Sequence, residues 1–524
     1  MKKTFLTLLA VGFATILSAQ SYNRFYENMP FQMEQVQQPV IPSYSIALTD
    51  FGGVGDGLTS NTEAFAKAID ALSNRGGGTL VVPRGIWITG PIHLKSNINL
   101  HVSDGALIRF SDDYDEYPII ETHYEGWKAI KATSPIMAWD QTNIAITGNG
   151  VIDGNGEYWR LVKREKLTEN QWRNLLRREG SVTDPADRLW FPNEGAMKGY
   201  YHTGSHFNLT QQEREYFKAY YRPVMVSIVN CKNVLLQGVT FQNSPAWNVH
   251  PLMCENLTVD NVIIRNPWYS QNGDGIDIES CKNVLVVNSS FDVGDDAICI
   301  KSGKDKEGRD RGMPTENLIV DNCIVYHGHG GFVVGSEMSG GAKNMLVRNC
   351  TFMGTDVGLR FKSTRGRGGV VENIWIENVD MIGIPNQALL FDLFYGGGRQ
   401  IDPPPAVTEE TPSFRNINIK NITCRGAGTA MLFNGIPEMN VKNISIENVV
   451  MRTTQGIILN NSDGVEIKNI TLTAENGPAI QMNAAKNVTV DGLSFGQGGS
   501  HEIVEIGNNN RNIVFKQNLP ITRR

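Results

Sequence analysis

A degenerate repeat, Asn-apolar-x-apolar-x-Asn/Gly-apolar, recurs along most of the chain and restricts the folds that the chain can adopt. Its copies begin at Asn143, Asn233, Asn256, Asn283, Asn317, Asn344, Asn373, Asn416 and Asn443, with altered copies at Gly464 and Asn487. Each copy alternates apolar and polar residues, which is strand periodicity. One strand cannot bury its apolar face alone, whereas stacked coils bury a continuous core. We therefore predict an all-β fold, a single-stranded right-handed parallel β-helix, in preference to a leucine-rich repeat.

The repeat also suggests roles for asparagine and cysteine. Asparagine tolerates left-handed φ and can stack in ladders, so it suits the turn that opens each copy. Cys231, Cys254 and Cys281 occupy one position of the repeat. We interpret them as small buried residues stacked in neighbouring coils. A disulfide or metal site is the alternative, although the odd total of seven cysteines cannot all pair within the chain.

The chain divides into three segments, the last of which contains an insertion. Residues 1–19 have two lysines, an apolar run and a small-residue exit, and we predict a signal peptide. Its apolar run is too short to span a bilayer comfortably, which argues against a membrane anchor. Residues 20–45 are predicted to be an extended arm, and residues 46–520 the β-helix with a small helical insertion at about 157–221. We expect an exported monomer, periplasmic or extracellular, without a membrane span.

Three segments align without gaps and bring acidic residues together: 272–280, 294–302 and 328–336. This alignment places Asp274 beside Asp296, and Asp295 beside His329. Neighbouring coils are about 4.8 Å apart, so three carboxylates lie within one or two strand spacings. Carboxylates this close cannot all ionise normally, and at least one pKa should rise. A protonated acid beside an ionised carboxylate is what glycosidic cleavage requires.

Basic residues are predicted on the outward face of the same coils. Alternation along the strands places Lys301, Arg360 and Lys362 there, and Arg pairs well with carboxylates. The formal net charge of −6 disfavours nucleic acid as a partner but permits an acidic polysaccharide in a basic cleft. A Ca²⁺ site built from the three aspartates remains the alternative to catalysis.

Four ordered motifs resemble the polygalacturonase family of glycoside hydrolases, family 28, over about residues 46–515. They are Asn272-Gly-Asp274, Gly294-Asp-Asp296, Gly328-His-Gly330 and Arg360-Phe-Lys362. Gly273 departs from the family's usual threonine, which puts substrate contacts in doubt more than acid–base chemistry.

The resemblance implies an inverting hydrolase that needs no metal and no other cofactor. Asp295 would be the general acid, Asp274 and Asp296 would activate water, and His329 would tune the acid. Arg360 and Lys362 would bind the substrate carboxylate, with further substrate contacts expected from Asn272 and Lys301. The implied substrate is acidic plant cell-wall polysaccharide (pectin), cleaved at α-1,4-galacturonosyl linkages.

The insertion favours action from a chain end. It is rich in tryptophan and tyrosine, and Thr168-x-x-Gln171 and Thr210-x-x-Glu213 have the pattern of helix capping boxes. An ordered wall would close one end of the groove, and walled family members, bacterial ones among them, tend to be exo-acting. Three alternatives stay open: a galacturonosidase on rhamnogalacturonan or decorated pectic oligosaccharides, a calcium-dependent pectate lyase, and a non-catalytic β-helix adhesin.

Overall fold

Parallel strands stack coil upon coil through residues 22–524, the portion of the chain that the computed structural model describes. The predicted signal peptide lies outside these residues. The first twelve strands are β1 Ser45–Ala47, β2 Asp56–Ser60, β3 Gly78–Val82, β4 Gly85–Thr89, β5 Ile92–His93, β6 Ile98–Val102, β7 Ala106–Phe110, β8 Ile119–Tyr124, β9 Trp127–Ala132, β10 Ile136–Trp139, β11 Thr142–Gly148 and β12 Val151–Asp153.

The middle of the chain carries the insertion and the coils that follow it. Its strands are β13 Val162–Lys163, β14 Val182–Thr183, β15 Leu189–Phe191, β16 Val226–Val229, β17 Lys232–Gln237, β18 Thr240–Gln242, β19 Val249–Leu252, β20 Glu255–Asp260, β21 Ile263–Arg265, β22 Ile276–Glu279, β23 Lys282–Val287, β24 Ser290–Asp292, β25 Asp296–Lys301, β26 Thr315–Asp321, β27 Ile324–Val334, β28 Ala342–Met353 and β29 Thr355–Lys362.

The strands after β29 are β30 Val370–Asp392, β31 Ser413–Asn434, β32 Val441–Asn460, β33 Ser462–Ala474, β34 Ile480–Asn483, β35 Lys486–Phe495, β36 Ile503–Ile506, β37 Arg511–Phe515 and β38 Ile521–Arg523. Three successive strands, β30 to β32, each run around most of a coil, and the strands that follow are shorter. The described α-helices are α1 Thr62–Asn74, α2 Glu169–Leu175, α3 Glu194–Tyr201, α4 Gln211–Tyr216 and α5 Asp305–Arg311.

Three columns of parallel strands give the fold its shape, and the right-handed parallel β-helix that the repeat predicts is confirmed. One column runs from β3 through β6, β11, β17, β20, β23, β26 and β28 to β30. A second runs from β4 through β7, β12, β18, β21 and β24 to β27. The third runs from β5 through β10, β16, β19, β22, β25, β27 and β29 to β30. This third column carries the acidic segments.

The core is a set of apolar ladders inside the coils. Ile276, Ile298, Phe332 and Leu359 pair across successive strands, as the ungapped alignment predicts, and each is fully buried. Helix α1 closes the N-terminal end, because its apolar residues recur at helical spacing and face the core.

Asparagine ladders line one turn of the coil, as predicted. Asn317 has a φ of +59°, and its Nδ2 donates to Asn283 Oδ1 at 3.1 Å. Its own Oδ1 accepts from Asn344 Nδ2 at 3.3 Å. The Asn317 side chain thus forms hydrogen bonds with both neighbouring asparagines along the axis of the β-helix, while its backbone adopts the left-handed conformation of the turn. The seven cysteines are free and buried, so stacking is confirmed and the disulfide alternative is wrong.

Two additions decorate the coils near the third column. The insertion contains α2 and α4, whose capping boxes at Thr168 and Thr210 are those predicted, and also α3, which was not predicted. An unpredicted antiparallel hairpin, β8–β9, precedes it. The hairpin tip docks beside α5, where Lys304 N donates to Gly126 O at 3.0 Å and Lys128 N donates to Glu307 Oε2 at 3.1 Å.

The N-terminal arm packs along the outside of the helix. Phe25 and Val36 are buried against Leu285, Val287 and Ile319, which project outward from two strands. Arg348 holds the arm in place, because its guanidinium donates to Phe25 O at 3.1 Å and to Asp321 Oδ2 at 2.6 Å. The arm begins with a short 3-10 helix, Asn23–Tyr26, and it is apolar where it contacts the coils. No helix within 22–524 is long and apolar enough to cross a membrane.

The left-handed turn predicts an unusual order of stability at Asn317. Positive φ is sterically unfavourable for alanine but not for glycine. Asn317→Ala should therefore lower the free energy of unfolding by about 1 kcal/mol more than Asn317→Gly does. Denaturant unfolding followed by circular dichroism measures the difference. Thr351, at an ordinary position of β28, is the matched control, and there glycine should be the worse substitution. The same order at both positions would contradict the role of the turn.

Candidate active site

Four consecutive strands of the third column position the acidic and basic side chains. Strands β22, β25, β27 and β29 pair so that Asp277, Cys299, Val333 and Arg360 are neighbours. This is the outward register predicted from alternation. Oxygen atoms of Asp274, Asp295 and Asp296 all lie within 4.8 Å of one another. The alignment of the three segments therefore predicted this cluster correctly.

Asp296 is held between two cations. Lys362 Nζ donates to its Oδ2 at 2.6 Å, and Arg360 Nη1 donates to its Oδ1 at 3.1 Å. Burial alone would raise the pKa of Asp296, but Lys362, Arg360 and Lys301 outweigh it and hold the pKa well below its usual range. The carboxylate is thus ionised, and both of its oxygens are engaged.

Asp274 lies in the opposite electrostatic situation. It is 3% exposed, its Oδ1 has no hydrogen-bond partner within residues 22–524, and burial raises its pKa well above the usual range. The neighbouring charges of Asp295 and Asp277 add to that rise. The pKa values of two chemically identical side chains are therefore shifted in opposite directions, an arrangement that suits general acid–base catalysis.

Asp295 is the most accessible of the three acids. Its side chain is 20% exposed, and its Oδ1 lies 3.1 Å from His329 Nδ1. This hydrogen bond is the main reason that the pKa of His329 is raised, against the effect of burial. His329 therefore faces Asp295 at the mouth of the site, with Asp356 3.7 Å from its other nitrogen.

Lys301 and Asn272 reach the site but are already engaged. Lys301 Nζ donates to Glu337 Oε2 at 2.9 Å and lies 3.5 Å from Asp277 Oδ1. Burial would raise the pKa of Glu337, yet Lys301 and Lys362 lower it to about 2. Asn272 Oδ1 accepts from Arg222 Nη2 at 2.9 Å. Both residues line the cavity around the carboxylates.

The outward face is more enclosed than alternation along the strands suggests. Asp277 and Glu279 are fully buried, and Lys301 is nearly so. Glu279 accepts from Arg311 of α5 at 2.6 Å and lies 2.9 Å from His250 Nε2. These two partners outweigh burial and lower the pKa of Glu279 to about 2. Additions outside the repeat thus cover the outward face.

A cavity of about 270 Å³ surrounds the carboxylates. Its walls include residues that the sequence pattern did not single out: Glu125, Trp247, Lys304, Ser336, Glu337, Arg367 and Tyr395. They come from the hairpin tip and from loops between strands, where no repeat position marks them. Tyr395 lies over Lys362, with its ring centroid 5.0 Å from Nζ.

The loop before Asp274 explains the glycine at position 273. A Cβ atom on Gly273 would lie 1.9 Å from Ser270 Oγ, so a larger residue requires Ser270 to move. The Ser270 hydroxyl is itself buried without a partner in the described chain. The departure of Gly273 from threonine therefore follows from the packing of this loop.

A cation could in principle be bound by the three aspartates, but the donor set fits one poorly. Ca²⁺ takes six to eight oxygen ligands, and the ammonium and guanidinium groups that neutralise Asp296 occupy its oxygens. The cluster is better described as carboxylates balanced by the protein's own cations.

Comparison with known proteins identifies relatives of this arrangement. The family model "Glycosyl hydrolases family 28" matches residues 203–450. The crystal structure of a hyperthermoactive exopolygalacturonase from Thermotoga maritima is 33% identical, covers 84% of this chain and 94% of that chain, and has a TM-score of 0.69.

Two curated proteins are also similar. An exo-poly-alpha-D-galacturonosidase of Dickeya chrysanthemi is 29% identical over 464 residues, which are 85% of this chain and 74% of that protein. A probable polygalacturonase of Vitis vinifera is 29% identical over 419 residues, which are 78% of this chain and 74% of that protein.

The ion pair between Asp296 and Lys362 predicts how substitution of Lys362 changes the free energy of unfolding. Lys362→Met leaves a buried carboxylate with one cation, which should cost about 3 to 5 kcal/mol. Adding Asp296→Asn should recover much of that loss, because the stranded charge disappears. Denaturant unfolding measures both effects.

Acid provides a second measurement on the same variants. A depressed pKa contributes stability above the pKa of an unfolded aspartate, and this stability is lost as pH falls towards the lowered value. The difference in the free energy of unfolding between wild type and Lys362→Met should therefore become smaller below about pH 4. Lys232→Met, which breaks an exposed pair with Glu255, should cost at most about 1 kcal/mol. Equal costs for the two lysines would contradict the buried pair.

Proposed function

Since the chain belongs to family 28 of the glycosyl hydrolases, we propose that it hydrolyses α-1,4-galacturonosyl linkages of polygalacturonan and works from a chain end. One observation carries the chemistry: ionised Asp296, held by Lys362 and Arg360, lies beside two further carboxylates in a cavity. The names of the relatives support the substrate, because they are polygalacturonases and exo-acting galacturonosidases.

Each carboxylate has a distinct role in the proposed reaction. Asp295, which faces the cavity, protonates the glycosidic oxygen as the bond breaks. Asp274 and Asp296 position a water molecule for attack on the anomeric carbon, and Asp274 takes up its proton. His329 keeps a positive charge beside Asp295 and orients it. Separate acid and base groups allow bond cleavage without a covalent intermediate.

The proposal includes a route for the proton between two neighbouring carboxylates. Asp274 has the raised pKa, whereas Asp295 has the access to substrate, and oxygen atoms of the two lie within 4.8 Å of each other. We propose that the proton passes from Asp274 through Asp295 to the glycosidic oxygen, which leaves Asp274 ionised as the base.

The same contacts support a proposal for the stereochemical outcome. The spacing of the carboxylates is shorter than inverting enzymes generally have, so distance alone would favour a covalent nucleophile. Asp296, however, has both oxygens bonded to cations, which makes it a poor nucleophile. We therefore assign inversion, with water attacking directly.

Substrate charge is recognised on the side of Arg360 and Lys362. Lys362 lines the cavity, Arg360 lies beside it on Asp296, and the Tyr395 ring covers both cations from one side. A uronate carboxylate approaching this pair shares cations that already neutralise Asp296. Lys301 is assigned a different role, holding Glu337 and Asp277, and Asn272 contacts the substrate from the opposite side.

Two structural additions support action from a chain end. The hairpin tip and the insertion wall off the side of the cavity that Asn272 and Glu125 line. A walled pocket buries the end of a polymer, whereas an open groove accepts its middle. The proposed setting is outside the cytoplasm, with the chain exported by its first 19 residues and active as a monomer on plant cell-wall pectin.

The choice between acid and base is testable with two substrates. Asp295→Asn should lower kcat on polygalacturonate by about 10²- to 10⁴-fold, because no group protonates the leaving oxygen. On dinitrophenyl α-galacturonide, whose leaving group needs no proton, the loss should be much smaller. Asp274→Asn should lower the rate of hydrolysis of both substrates. If instead Asp274→Asn spared the dinitrophenyl substrate and Asp295→Asn did not, Asp274 would be the acid and Asp295 the base.

Product analysis tests the reaction itself. Polygalacturonate treated with the protein and EDTA should gain reducing ends without the ultraviolet absorbance of unsaturated uronates. Short products should appear from the first minutes while viscosity falls slowly. Loss of activity in EDTA with unsaturated products would identify a lyase. A rapid fall in viscosity with a ladder of intermediate oligomers would exclude action from a chain end.

A further inference from the structure

Five asparagines of the chain are followed directly by glycine, a pairing that favours spontaneous loss of the side-chain amide. The pairs are Asn149-Gly150, Asn155-Gly156, Asn272-Gly273, Asn434-Gly435 and Asn476-Gly477. In this reaction the glycine peptide nitrogen attacks the side-chain carbonyl carbon of asparagine, a succinimide ring forms, and the amide nitrogen leaves as ammonia with the displaced proton. Water then opens the ring to aspartate or isoaspartate. Glycine has no Cβ to hinder the attack, so the fold decides which pair reacts.

In four of the pairs the attacking nitrogen is already engaged in a backbone hydrogen bond. Gly150 N donates to Val102 O at 3.0 Å, Gly156 N to Asn243 O at 2.7 Å, Gly273 N to Ser270 O at 3.3 Å and Gly435 N to Asn460 O at 3.0 Å. The side chains of Asn149, Asn155 and Asn434 are held as well, since each amide donates a hydrogen bond. In the folded protein these pairs react only through local opening of the chain.

The pair in the candidate active site is held at both of its reacting groups. Asn272 Oδ1 accepts from Arg222 Nη2 at 2.9 Å, which fixes the side chain that would be attacked. Gly273 is packed so closely that an added Cβ would lie 1.9 Å from Ser270 Oγ, so the backbone has little room to rotate. The structure therefore protects the pair whose conversion would add a carboxylate to the site.

Asn476 and Gly477 lie in a different environment, in the turn between β33 and β34. Both residues are exposed. Among residues 22–524 the Gly477 N–H donates no hydrogen bond and the Asn476 side chain has no hydrogen-bond partner. Gly477 has a φ of +71°, and an added Cβ there would meet nothing within 4 Å. The attacking nitrogen is thus free, and the backbone has room to bring it to the side chain.

We infer that Asn476 is the site at which the folded protein is modified, by deamidation to aspartate and isoaspartate. The inference is independent of the proposed function. The product adds one negative charge to a chain whose formal net charge is −6. The new carboxylate lies next to Glu475, which forms an exposed ion pair with Arg452 at 2.9 Å. The modified protein is therefore a single, more acidic form whose catalytic carboxylates are unchanged.

Incubation of the purified protein at mildly alkaline pH, followed by digestion and mass spectrometry, tests this site. The peptide that contains Asn476 should lose its amide at least about tenfold faster than the peptides of the other four pairs, because those pairs must first break a hydrogen bond. In urea, where no fold protects any pair, the five rates should become similar. The incubation continues until this unfolded control has reacted at all five pairs.

Asn476→Gln is the matched variant, because glutamine keeps the amide but must close a larger ring, which is far slower. Isoelectric focusing of the incubated native protein should show one additional acidic form, and this form should be absent from Asn476→Gln.

Two results would overturn the inference. One is conversion at another Asn-Gly pair of the folded protein that is as fast as conversion at Asn476, or an Asn476 peptide that stays intact when the urea control has reacted. The other is an acidic form that persists in Asn476→Gln, which would place the modification at a different residue.

Discussion

Backbone hydrogen bonds between parallel strands of successive coils set the register on which every group of the site depends. The carboxylates, His329, Arg360 and Lys362 come from segments far apart in sequence, yet each lies one coil from the next. Because side chains alternate along a strand, a slip of one residue would turn a whole set from the site to the core. The fully buried ladder through Ile298 and Phe332 opposes such a slip, so the packing of the core and the geometry of the site are one constraint.

Within that register, local environment gives identical side chains different properties. Asp296 and Asp274 are both buried, but Asp296 has two cations in contact, whereas Asp274 has none among residues 22–524. Burial therefore decides the pKa of Asp274, whereas neighbouring charge decides that of Asp296. Lys301, on the same strand as Asp296, has the balancing role for Glu337 and Asp277. The paired carboxylates of the site are thus neutralised by lysine and arginine side chains of the same protein.

The sequence predicts the repeated coils of the fold well, but it predicts the segments inserted between them poorly. The coils, the asparagine turns, the aspartate cluster and two capping boxes follow from local patterns of residues. The β8–β9 hairpin does not, because its turn is Glu125-Gly126, both at positive φ. Asn-Gly or Asp-Gly is the usual signal for such a turn. Glu125, Trp247 and Tyr395 reach the site from loops, and only tertiary packing brings them there. The burial of Lys301 was missed for the same reason: alternation gives its direction but not what covers it.

The N-terminal arm has a consequence for the order of folding. Phe25 and Val36 contact strands that follow roughly 250 residues later in the chain, and Arg348 holds Phe25 from still further on. A chain that folds from its N-terminus makes these contacts only after the central coils have emerged. The arm therefore works as a latch that closes over finished coils. Contacts of such long sequence separation form slowly, so docking of the arm reports that the central coils have been built.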